Sequence, residues 1–167
     1  AAQGGLHATV GGQPEFLDTV TNLETMIYEM EEIISKSSRV IGVGEIGLDF
    51  YWDKEKKTKE KQLEVFTAQM KLAVRLKLPV VIHMRDAEEE MLSVFNTMER
   101  LPKGEFHCFA GSEEFLKIIL EKGFYVGVAG NVTFKSAHEL RRILSLVPRN
   151  RLLLETDAPY LSPEPVR

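Results

Sequence analysis

A parallel α/β fold is what this sequence predicts, on three observations. Short apolar, β-branched runs alternate with longer amphipathic segments. Glycine or proline bounds the runs. The stretches between runs leave room for one crossover helix each. Five runs read as strands buried on both faces: Val40–Gly44, Pro79–His83, Glu105–Phe109, Phe124–Ala129 and Leu152–Thr156. Such alternation suits either an open doubly wound sheet or a (β/α)8 barrel. A closed barrel takes about 250 residues, and this chain has 167.

The segments between the runs predict helices. One covers about Glu15–Ser35. From Lys59 to Lys77, Leu63, Phe66, Met70, Ala73 and Val74 make one apolar stripe. From Ala87 to Met98 the stripe is Met91, Val94, Phe95 and Met98. From Glu113 to Lys122 it is Phe115, Ile118 and Ile119, with Gly123 placed for a left-handed C-terminal cap. From Ala137 to Val147 it is Leu140, Ile143, Leu144 and Val147. Asp86 with Glu89, and Ser136 with Glu139, have the spacing of reciprocal N-terminal caps.

Composition narrows the function. The chain is 44% hydrophobic and 28% charged, with a formal net charge of −4, as expected of a globular domain and unlike a disordered chain. We read one domain over residues 1–167. No apolar stretch approaches the roughly 18 residues of a membrane span, and no leader pattern is visible. Cys108 is the one cysteine, so no internal disulfide forms. That predicts a reducing compartment: the cytoplasm, or the nucleus in a eukaryote. The acidic balance excludes a generally basic nucleic-acid coat but not a local basic patch. No obligate protein partner is evident.

The chemistry-bearing residues fall at strand ends. Glu45 ends the first run, His83 the second, His107 lies late in the third, and Asp157 follows the fifth. Active sites of parallel α/β folds gather on that edge. Two imidazoles and two carboxylates make a mixed N/O site for Zn²⁺ or Mn²⁺, with Mg²⁺ a further candidate. A lone histidine at a strand end is more often a hydrogen-bonded core residue. A buried glutamate after an apolar strand is harder to explain that way, since an unpaired charge there is expensive.

Arg85 suits a phosphate held bidentately or an ion pair with Asp86. Asp49 suits either a turn or the orienting of a ligand histidine. Phe50-Tyr51-Trp52 precedes Lys54, Lys56, Lys57, Lys59 and Lys61. That mixture fits base stacking with phosphate attraction, or a buried aromatic plug beside a solvated helix start. Cys108 reads as packing on the strand face opposite His107, and His138 as a solvated helix residue. Ser112 lacks the surroundings of a nucleophile elbow.

The blocks GVGEIGLDFYWD, QLEVFTAQMKLAVRLKLPVVIHMRDA, HCFAGS and ETDAPYLSPEPVR, from about Val40 to Arg167, closely resemble the TatD family of metal-dependent deoxyribonucleases. The resemblance implies a TIM-type (β/α)8 barrel, incomplete in this chain, with about five strands visible and the N-terminal strand and C-terminal end missing. It implies DNA as substrate, hydrolysed by exonuclease action with two divalent ions (Mg, Mn or Zn). Carried over, Glu45 is the ligand shared by both ions, and His83 and His107 are ligands of one. Asp157 is a ligand of the other ion and the acceptor of the attacking water's proton. Glu45 and Asp157 are thus the catalytic pair. Gly5-Leu6-His7 resembles the family's GxHPH stretch, which places His7 near the substrate phosphate; Arg85, Asp49 and Trp52 join it as substrate-side residues on the residue chemistry given above. The chain departs from the family in carrying Ala8-Thr9 where Pro-His is usual. It has no H-x-H pair, which predicts weaker binding of the second ion. Two rival readings share these residues: a small-molecule amidohydrolase or esterase, and a non-catalytic nucleic-acid-binding relative.

Overall fold

The computed structural model describes residues 5–51 and 53–166. They fall into two compact units, residues 1–103 and 104–167. The first unit runs β1 (Ala8–Val10), a 3₁₀ turn (Pro14–Thr19), α1 (Leu23–Lys36), β2 (Val40–Asp49), α2 (Lys59–Leu76), β3 (Val80–Arg85) and α3 (Glu88–Thr97). Its strands are parallel, with β2 between β1 and β3. The second unit runs β4 (Gly104–Phe106), α4 (Glu113–Glu121), β5 (Tyr125–Val128), a 3₁₀ turn (Gly130–Thr133), α5 (His138–Leu144) and β6 (Leu152–Leu154). Its strands are also parallel, with β5 central. The fold is α/β, with six parallel strands among the described residues.

The extra strand is β1. Its three residues are largely exposed and carry no apolar run, so pairing with β2 alone makes it a strand. The helix expected over Glu15–Ser35 is split. Pro14 opens the 3₁₀ turn, and α1 starts afresh at Leu23, where the Asn22 side chain accepts the Thr25 amide at 2.8 Å. Neither expected reciprocal cap forms. Ala87 and Ala137 occupy the cap positions. Asp86 adopts a φ of 53° and turns its carboxylate to Lys54 at 2.6 Å. Gly123 does take the left-handed conformation after α4, its amide donating to the Leu120 carbonyl at 3.0 Å.

Strand lengths also differ from the runs. β2 extends through Asp49, so Glu45 lies inside the strand rather than at its end. β4 stops at Phe106, leaving His107 and Cys108 just beyond it. Cys108 has a φ of 46° and lies past β4, so strand alternation does not decide which way it faces.

The first core is built from Val43, Ile46, Leu48, Phe66, Met70, Ile82 and Met91, all buried. Two glutamines of α2 are buried with them and serve as backbone clamps. Gln62 accepts the Asp49 amide and donates to the Asp49 carbonyl, both at 2.8 Å. Gln69 does the same for Gly12 at 2.7 and 3.1 Å. An amide buried among apolar groups is tolerated only when so satisfied, and these two fix the chain on either side of the site. In the second unit Phe106 packs edge-to-face on Phe115 and Phe124, with ring centres 5.2 and 5.3 Å apart. Among the described residues no helix is long and apolar enough to cross a membrane.

Candidate functional site

Each unit builds an imidazole held between two carboxylates. In the first, the register pairs Gly47 with His83 and Asp49 with Arg85. Gly47 is required here. Its φ is +155°, and a Cβ would stand 1.9 Å from the His83 carbonyl oxygen. This close approach carries β2 past His83. His83 Nε2 lies 2.8 Å from Asp49 Oδ2 and its Nδ1 lies 3.1 Å from Glu45 Oε1. Asp49 is buried and also accepts the Tyr51 amide at 2.8 Å. Glu45 accepts from Gln13 Nε2 at 2.7 Å. A cavity of about 410 Å³ opens beside Glu45, lined among others by Gly12, Gln13, Leu17 and Met26.

In the second unit His107 Nδ1 lies 2.5 Å from Glu155 Oε2 and its Nε2 lies 3.3 Å from Asp157 Oδ1. Glu155 also accepts the Cys108 amide at 2.5 Å. Gly127 of β5 makes room for it, since a Cβ there would meet Glu155 Oε1 at 2.3 Å. Asp157 has the most exposed side chain of the four carboxylates.

The electrostatics of the first cluster follow from this geometry. Burial acts to lower the His83 pKa, but the hydrogen bonds to Asp49 and Glu45 outweigh it and raise it to about 9. Burial acts to raise Asp49, and the His83 and Tyr51 hydrogen bonds bring it below the ordinary carboxylate range. Two carboxylates thus pull positive charge onto the imidazole. In the second unit, Glu105 of β4 is raised by burial and by the neighbouring Glu155 charge.

The other expected residues are placed as follows. Arg85 does not pair with Asp86. Its guanidinium lies 3.5 Å from the centre of the Tyr51 ring, and Asp86 pairs with Lys54. The lysine run is largely balanced by carboxylates: Lys57 meets Glu55 at 2.7 Å, and Lys56 and Lys59 meet Glu90. His7 is exposed, just before β1. His138 is exposed and bonds Arg141. Ser112 caps α4 by accepting the Phe115 amide at 3.1 Å. Trp52 lies outside the described residues.

Glu155 and Gln13 escaped the sequence reading. The two-residue spacing of Glu155 and Asp157, matching that of two same-face positions in a strand, was a usable signal for Glu155. Gln13 carried none.

A family model described as TatD related DNase matches residues 1–167. The chain belongs to the TatD-related DNase family. It is 36% identical over 163 residues to the uncharacterized metal-dependent hydrolase YabD of Bacillus subtilis, covering 97% of this chain and 62% of that protein. It is 39% identical over 132 residues to the 3'-5' ssDNA/RNA exonuclease TatD of Escherichia fergusonii, covering 78% of this chain and 50% of that one. Among solved structures, the TatD homolog YJJV of Escherichia coli K12 superposes with a TM-score of 0.83 at 29% identity, covering 95% of this chain and 60% of that one. A TatD family hydrolase from Entamoeba histolytica superposes with a TM-score of 0.73 at 30% identity, covering 93% and 51%. The chain therefore spans about half to three fifths of the length of these relatives, and its six parallel strands are part of a TIM-barrel-like fold.

The donor set suits a divalent cation. Imidazole nitrogen and carboxylate oxygen are what such ions take, and the carboxylates of Asp49 and Glu45 on either side of His83 favour positive charge there. Among the described residues no three acidic, histidine or cysteine side chains stand as a ready coordination shell. The ring nitrogens are engaged by carboxylates instead, so an ion must displace those contacts to bind.

Proposed function

We propose that the protein hydrolyses DNA phosphodiester bonds as an exonuclease, using two divalent ions (Mg, Mn or Zn) held by Glu45, His83, His107 and Asp157. The observation that carries this reading is the pair of imidazoles, each between two carboxylates, in a chain of the TatD-related DNase family. The name of the Escherichia fergusonii relative supports a nucleic-acid substrate. When bound, such ions neutralise the phosphate and acidify a water.

The chain's own residues do the rest. Glu45 and Asp157 present carboxylate oxygens to the ions. Asp157 takes the proton of the attacking water at Oδ2, the oxygen not engaged by His107. Asp49 and Glu155 hold the two rings in place, each braced by a backbone amide. Arg85 and His7 are assigned to the substrate phosphates, and Trp52 to substrate binding on the strength of the sequence. Asp49 reaches substrate only through His83. The single cysteine supports a reducing compartment.

The test is hydrolysis of 3'- and 5'-labelled single-stranded DNA with each ion, against an EDTA control. Stepwise loss from one end, abolished by EDTA, is expected. No metal-dependent cleavage of DNA, with turnover of simple carboxylic esters instead, would overturn the reading.

A further inference from the structure

Arg85 stands out among the arginines of the first unit. It follows His83 by two residues on β3, so both side chains project from the same strand face. The alternating burial along β3 agrees, with Val81, His83 and Arg85 all less buried than their neighbours. The step from His83 to Arg85 is about 6.6 Å along the strand, which is of the order of the spacing between neighbouring phosphates in an extended nucleic-acid strand.

The guanidinium is held in place before any ligand arrives. Its central carbon lies 3.5 Å from the Tyr51 ring centre, while Lys54 Nζ lies 4.8 Å from the same ring centre. Tyr51 is itself fixed to the cluster, its amide donating to Asp49 Oδ1 while Asp49 Oδ2 meets His83. The Phe50 amide donates to the Arg85 carbonyl at 3.0 Å. Cluster, tyrosine and arginine therefore form one braced unit. Among the described residues no carboxylate forms an ion pair with Arg85; Asp86 is occupied by Lys54. A guanidinium stacked on a ring keeps its in-plane N–H edges for a bidentate anion.

We propose that Arg85, held on Tyr51, grips the phosphate one nucleotide step from the scissile diester and so sets the preference for substrates carrying a second phosphate. Arg85 is a specificity-determining residue and Tyr51 its positioning residue. This rests on the nuclease reading and names the part of the substrate that Arg85 reads.

The experiment compares three substrates on the full protein with Mn²⁺: a dinucleoside monophosphate, and the same dimer bearing an extra 5'- or 3'-terminal phosphate. A terminal phosphate on one end is expected to raise kcat/KM roughly tenfold through KM, the worth of one charge-assisted contact. Arg85→Met should cut that gain to under twofold. Arg85→Lys should keep part of it. Tyr51→Ala should weaken it, and Tyr51→Phe, which keeps the ring, should retain it. Equal losses on all three substrates, or no change in the gain, would overturn the proposal. Binding of phosphorothioate versions of the dimers separates the two claims. Lost preference for the extra phosphate in Arg85→Met, without any cleavage by the wild type, would leave the phosphate contact standing and remove the nuclease. Cleavage with no Arg85 dependence would do the reverse.

Discussion

The two imidazole clusters use one design with different depth. In each, one carboxylate sits closer to the ring and also accepts a backbone amide: Asp49 at 2.8 Å with the Tyr51 amide, and Glu155 at 2.5 Å with the Cys108 amide. In each, a second carboxylate stands farther off: Glu45 at 3.1 Å and Asp157 at 3.3 Å. A carboxylate tied to the backbone cannot readily move, so it orients the ring. The looser one is able to turn to an ion. The clusters differ in where the orienting group comes from. Asp49 ends the strand that holds Glu45. Glu155 lies just past β6 and is received into space left by Gly127. The difference teaches that distance and backbone anchoring, more than residue type, separate a tightly held carboxylate from a looser one in each cluster.

The largest effect expected from this division is at the looser pair. Glu45→Gln and Asp157→Asn should each lower DNA hydrolysis at least 100-fold while leaving the far-UV circular dichroism spectrum as it is. Normal turnover in either would place that carboxylate outside the chemistry. Next come the orienting residues. Asp49→Ala and Glu155→Ala should weaken divalent-ion affinity about 10- to 100-fold, read by calorimetric titration. Loss of activity with unchanged ion affinity would erase the distinction drawn here.

Gly127→Ala sharpens the comparison from the second unit's side. The added methyl meets the Glu155 carboxylate, so stability should fall by about 1–3 kcal/mol, and that carboxylate must shift. The expected signature in denaturant melts is a lower midpoint with reduced protection of the Cys108 amide from hydrogen exchange. The smallest effect lies away from both clusters. Glu90 is buried; burial raises its pKa, but Lys56 and Lys59 outweigh this and lower it. Its folded pKa is below its unfolded one. The stability it contributes is therefore present above the ordinary carboxylate range and lost as pH falls through the lowered value. Glu90→Gln should cost about 1 kcal/mol at neutral pH and flatten the acid limb of stability against pH.

Much of this was readable from the residues. Among the described residues the apolar runs announced five of the six strands, but burial on both faces fails for β6, where Leu153 and Leu154 are exposed. The sixth, Ala8–Val10, is exposed and short, and only its partner strand defines it. Helix stripes fixed α2, α3 and α4 within one or two residues, while caps failed wherever a side chain found a better partner, as Asp86 did in Lys54. The reasoning that ionisable groups on apolar strands need partners agrees with the contacts of His83 with Glu45 and of His107 with Asp157. Glu155 was marked only by its two-residue spacing from Asp157, and that spacing does not say which of the two carboxylates a backbone amide will hold. The stacking of Arg85 on Tyr51 depends on a turn after β2 whose path no periodicity encodes.

The most direct test of the central claim is an anomalous-difference map from crystals soaked in Zn²⁺. The account predicts peaks about 2.0–2.2 Å from Glu45 and Asp157 oxygens and from a nitrogen of His83 and of His107, with Asp49 and Glu155 still hydrogen-bonded to the rings. Peaks seated on Asp49 and Glu155 instead, or none at either imidazole, would contradict it.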